Sequence, residues 1–135
     1  MTLVLDSNVV LTACSGPGGF VPFDGEELVA PPLMWSEFLC SIREATWRGE
    51  VSQELAASAL ARLEEAPIRA RTSRRLRAEA LRIAADLGWA RTYDAEYVAL
   101  GRLLDCSVIT RDLRLRKGTD RLGFVVTLDE WKVRR

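Results

Sequence analysis

Four acidic residues, spread over 135 positions, sit where an α/β fold can gather them. They are Asp6 in LVLDSNVV, Glu37 in APPLMWSEFLCSIREA, Asp94 in TYDAEYVALG and Asp112 in SVITRDLRLRKG. Asp6 directly follows a short apolar run, and Asp112 follows another by three residues. Each run has the length and composition of a buried strand. Glu37 and Asp94 fall in the first turns of two predicted helices. Carboxylates converging at one sheet edge repel each other unless a cation lies between them. The chemistry indicated is a metal-dependent reaction on phosphates. Each acid also has a purely structural use. Asp6 and Asp112 could cap the helices that follow them, and Glu37 and Asp94 could complement helix N-terminal dipoles.

Bringing these acids together requires a particular order of elements. Apolar runs at residues 2–5, 28–30, 68–70, 107–109 and 124–126 predict strands. Apolar periodicity predicts helices over 9–14, 33–48, 52–65, 74–87 and 92–104, with a helical turn over 113–116. The expected core stripes are Trp35, Phe38, Leu39, Ile42, Ala45 and Thr46, then Leu55, Ala56, Ala59, Leu60 and Leu63, then Leu76, Ala80, Leu81, Ala84 and Leu87. In the last long helix they are Tyr93, Tyr97, Leu100 and Leu104. Gly88 stands at the usual C-terminal stop of its helix.

Strands alternating with helices predict an α/β fold: a central parallel sheet of four to five strands with helices on both faces. Ligands bind such sheets beyond the carboxyl ends of the strands. If the strands at 2–5 and 107–109 are neighbours, Asp6 and Asp112 face one crevice. Glu96 lies about 200° around the helix from Asp94 and is expected in solvent. With no repeat or interior linker, residues 1–135 read as a single domain.

Composition removes several chemistries. Histidine is absent, so Ser-His-Asp and Cys-His catalysis are excluded. The three cysteines, Cys14, Cys40 and Cys106, are far apart and form no CxxC pair, which leaves no zinc site of Cys and His. Reduced, buried cysteines in a cytoplasmic protein are the expectation. No stretch approaches a membrane span and no secretory leader is visible. The net charge of zero hides a split. Residues 1–67 hold 3 basic and 10 acidic side chains, and residues 68–135 hold 16 basic and 9 acidic ones. A basic half of this kind can hold a polyanion.

With their flanking residues, the four acids resemble the motifs of PIN-domain ribonucleases, and specifically the VapC-type toxins of prokaryotic toxin–antitoxin pairs. LVLDSNVV resembles the family's N-terminal strand motif, with Asn8 two residues after Asp6. APPLMWSEFLCSIREA resembles the second motif. TYDAEYVALG is similar to the third, with Tyr97 and Ala99 in the helix behind Asp94. VITRDLRLRK resembles the fourth, where Thr110 precedes Asp112 by two. The resemblance spans essentially the whole chain, and no acid of the quartet is missing.

The resemblance implies an endoribonuclease. Mg²⁺ or Mn²⁺ would lie among Asp6, Glu37, Asp94 and Asp112, and water activated by the metal would attack an RNA phosphodiester in line. Asn8 and Thr110 would support the site or touch substrate through hydrogen bonds. Arg111, Arg114, Arg116 and Lys117, directly after the fourth acid, are the better candidates for holding RNA phosphates. Arg69, Arg71, Arg74, Arg75 and Arg77 form a second basic cluster. The resemblance also implies a homodimer and a cognate antitoxin that blocks the site. Trp35, Phe38, Trp47, Leu55 and Leu63 are candidates for the groove that receives it.

Two other readings within the family are an RNA-processing nuclease outside a toxin pair and a non-catalytic RNA-binding module. A phosphatase of the haloacid-dehalogenase type also begins with Asp after its first strand, but it needs a second Asp where this chain has Asn8.

Overall fold

The five apolar runs become strands: β1 (Thr2–Leu5), β2 (Glu27–Ala30), β3 (Ile68–Ala70), β4 (Ser107–Ile109) and β5 (Val125–Val126). In a computed structural model describing residues Met1–Arg135 they form one sheet in the order β3-β2-β1-β4-β5. Every pairing is parallel. β1 and β4 are therefore neighbours, with Leu5 opposite Ile109. The pairing runs one residue further, because the Asp6 N–H donates to the Ile109 carbonyl at 3.0 Å.

Seven α-helices flank the sheet: α1 (Ser7–Ser15), α2 (Leu33–Trp47), α3 (Gln53–Glu65), α4 (Leu76–Leu87), α5 (Tyr93–Leu104), α6 (Leu113–Gly118) and α7 (Leu128–Arg134). α5 packs on β1, β4 and α4, while α1 packs against α2 and α3. α5 is buried almost all round from Ala95 to Gly101, more than its predicted stripe required. Gly101 explains how it sits so close to the sheet. A Cβ there would lie 2.4 Å from Val108 Cγ2, so only glycine fits without movement.

The predicted stripes need revision. On α2 the fully buried residues are Met34 and Phe38, and Leu39 is exposed. On α3 and α4, Leu55 and Leu81 point to solvent, as does Tyr93 on α5. In α4 their place in the core is taken by Ile83 and by Glu79. Glu79 is buried between Arg82 at 2.6 Å and Arg102 at 3.1 Å, an ion pair that ties α4 to α5. Cys40 is exposed, contrary to expectation, while Cys14 is buried, Cys106 is half-buried, and all three are free.

The chain end forms α7. Thr127 and Glu130 form a reciprocal capping box at its start, a T-x-x-E signal readable in the sequence. Its Trp131 packs on Phe23 with ring centroids 6.0 Å apart. That contact anchors the loop over 15–25, which contains a short 3-10 turn, Val21–Phe23.

Candidate metal and nucleic-acid site

Asp6 is both a helix cap and a candidate ligand. Its backbone is extended, Oδ1 accepts from the Ser7 N–H at 2.7 Å, and the residue is buried. Its other oxygen, Oδ2, accepts from the Thr110 hydroxyl at 2.7 Å. The same Thr110 oxygen accepts from the Asp112 N–H at 3.0 Å. One fully buried threonine thus fixes the positions of two acids from adjacent strand ends. Asp112 caps α6, with Oδ1 accepting from Arg114 N at 2.9 Å and Leu115 N at 3.2 Å. The capping uses and the gathering at one edge coincide.

Asp94 is the second residue of α5, as the spacing predicts. Glu37 is the fifth residue of α2, which begins at Leu33 as the apolar periodicity predicts. Glu37 Oε1 accepts from the Tyr97 hydroxyl at 2.5 Å. Neither oxygen of Asp94 hydrogen-bonds within the protein, and Glu37 Oε2 and Asp112 Oδ2 are likewise free. Glu37, Asp94 and Asp112 line one cleft of about 660 Å³ with Trp89, Tyr93 and Arg114. Asp6 does not line that cleft; Thr110 links it to Asp112.

The electrostatics record this crowding. Burial pushes the Asp6 carboxyl up to about 6, against the bonds from Thr110 and Ser7, and Asp94 and Glu37 raise it further. Glu37 is raised by burial, by Asp94 and by Glu96, while the Tyr97 bond opposes the shift. Asp94 is raised by burial and by Asp112, and Arg114 opposes this. Asp94 is thus the hub, coupled to all three partners. Glu96 is half-buried rather than in solvent, with Arg77 and Glu37 among its charged neighbours.

The donor set fits a hard divalent cation. All donors are carboxylate oxygens, several have no protein partner, and their mutual repulsion is uncompensated by any ion pair. In this arrangement no three of the acids are close enough together to hold one ion.

Asn8 joins α1 to the loop after β4, its Oδ1 accepting from Arg111 N at 3.2 Å. The Arg111 guanidinium is exposed and donates to the Thr12 hydroxyl. Arg114 lines the acidic cleft, and Lys117 is exposed on α6. Arg116 is not available for RNA. It grips Glu130 through Nε at 2.7 Å and Nη2 at 2.8 Å, and Asp120 through Nη1 at 2.7 Å. The sequence misses this because Glu130 lies in the unforeseen α7. In the other basic cluster, Arg69 and Arg71 pair with Glu27. The sequence places Tyr97 in the core stripe and in the motif behind Asp94, and the structure adds its hydroxyl bond to Glu37.

A family model described as PIN domain matches residues 3–120. The crystal structure of PAE2754 from Pyrobaculum aerophilum shares the fold, with a TM-score of 0.73 at 17% identity over 99% of this chain and 88% of that one. No curated protein matches. No helix is long and apolar enough to cross a membrane.

Proposed function

This chain belongs to the PIN domain family, and on that premise we propose that it is a Mg²⁺- or Mn²⁺-dependent endoribonuclease, the toxin of a toxin–antitoxin pair. PIN domains are generally nucleases, so hydrolysis of nucleic acid is the coarse activity. The observation that carries the finer reading is the coupling of Asp94 to Asp6, Glu37 and Asp112 at the ends of β1 and β4, with no ion pair to any of them. Asp6, Glu37, Asp94 and Asp112 would hold the cation, which would supply positive charge to the phosphate and lower the pKa of the attacking water.

The chain's own residues set the geometry. Thr110 fixes Asp6 relative to Asp112, and Asn8 holds the loop that carries Arg111. Arg114 at the cleft, with exposed Arg111 and Lys117, supplies phosphate contacts from the side. RNA rather than DNA as substrate, the homodimer and the antitoxin belong to the same reading.

For the antitoxin, the groove between α1, α2 and α3 is the favoured seat. It is lined by Leu11, Ile42, Ala45, Val51, Leu55 and Ala59. Trp47 and Leu55 are exposed at 75% and 63%, and Leu55 is part of the groove wall. Phe38 and Leu63 drop out of the groove because both are buried in the core.

Purified protein incubated with RNA tests the activity. Cleavage with Mg²⁺ or Mn²⁺, abolished by EDTA and by Asp94→Asn, is expected, and cleavage in excess EDTA would overturn the metal dependence. Growth arrest on expression, relieved by the gene next door, is expected of a toxin. Cleavage without arrest would make the protein an RNA-processing nuclease instead.

A further inference from the structure

Of the four acids, Glu37 is the one held by a side chain and by no backbone group. Asp6 and Asp112 are held by N–H groups at helix starts, and Asp94 is carried at the first turn of α5. Glu37 comes from α2, and the side chain that holds it lies 60 residues away in sequence. That side chain is Tyr97, completely buried and the largest fully buried residue in the protein. A phenol costs free energy to bury unless its hydroxyl finds a partner, and the partner here is the Glu37 carboxylate.

Resting on the nuclease reading above, we propose that Tyr97 is a positioning residue: its hydroxyl pins Glu37 Oε1 so that Oε2 faces Asp94 and the cation. Core packing needs only an aromatic ring at position 97, and phenylalanine would fill most of that space. The hydroxyl is explained by the carboxylate it holds. A donor that binds one oxygen of a ligating carboxylate restricts its rotation and leaves the other lone pairs directed at the metal.

The experiment measures Mn²⁺ binding by calorimetry for the wild type, Tyr97→Phe, Glu37→Gln, the double variant and Asp94→Asn, with denaturation curves for each. Tyr97→Phe is expected to weaken binding about 10–100-fold, the range for losing a partner of a metal ligand, while it stays folded. In the Glu37→Gln background the same change is expected to add nothing, because its effect passes through Glu37. Weakened binding in Asp94→Asn with unchanged binding in Tyr97→Phe overturns the role of Tyr97 alone. Unchanged binding in both variants overturns the metal site together with it. Additive losses in the double variant also overturn the proposal.

A second measurement leaves Tyr97 in place in case its variant does not fold. The chain has two tyrosines, so Tyr93→Phe protein grown on 3-fluorotyrosine reports Tyr97 by a single fluorine resonance. That resonance is expected to move on Mg²⁺ addition and to stay still with Glu37→Gln. A resonance insensitive to Mg²⁺ in the unmodified site overturns the assignment.

Discussion

The protein contains two acidic clusters that treat charge in opposite ways. Around α7, Glu130 receives two bonds from Arg116 and the Thr127 N–H, and its carboxyl is held down at about 2. At the ends of β1 and β4, four carboxylates share no guanidinium bond, and Asp6 is pushed up to about 6. Residues of one chemical type are thus driven in opposite directions by their neighbours. The first cluster is complete within the chain and closes the fold. The second keeps unneutralised charge at a cleft, the pattern expected of a functional site rather than a structural one.

Breaking the second cluster is expected to give the largest effect on activity. Asp94→Asn should lower RNA cleavage by more than about 100-fold in a metal-activated assay. It should raise or leave unchanged the stability of the metal-free protein, since it removes a repelling charge. Glu130→Gln reverses the pattern. It should lower the melting temperature through loss of the Arg116 bonds and leave cleavage within about twofold.

The pH dependence separates the clusters by sign. Asp6 carries a raised pKa in the folded state, so its protonation stabilises the fold. That stabilisation is fully present below its ordinary value of 3.8 and is lost as pH rises through about 6. The change is of order 3 kcal/mol for two pH units. Glu130, held low, does the reverse, and its stabilisation is lost as pH falls toward 2. Urea unfolding of metal-free protein between pH 4 and 7 should therefore show stability falling as pH rises, and added Mg²⁺ should remove that slope.

Gly101→Ala probes the support beneath the site. The added methyl meets Val108 on β4, and overpacking of this kind costs about 1–3 kcal/mol, read as a lower denaturation midpoint. The smallest effect is at Asp105, a non-glycine in the left-handed region with φ 52°. Asp105→Gly should stabilise by a few tenths of a kcal/mol up to about 1.

The second cluster was far more legible in the sequence than the first. Asp6 and Asp112 stand at the ends of apolar runs, and strand alternation with helices gives the parallel order that joins them. Local patterns carry that much. Arg116 and Glu130 are 14 residues apart, and their pairing depends on where α7 folds back, which no periodicity reveals. The Tyr97–Glu37 bond was hidden for the same reason, since two helices 60 residues apart must pack before the hydroxyl has a partner. Amphipathic stripes misplaced Leu39, Leu55 and Leu81 because helices touching neighbours on one side bury a narrower face than their apolar content suggests.

Mn²⁺ titration of three proteins tests the contrast between the clusters most directly. Wild type and Glu130→Gln should bind the ion alike, and Asp94→Asn should lose that binding. Equal binding by Asp94→Asn and wild type would contradict the assignment of the metal to the four acids at the ends of β1 and β4.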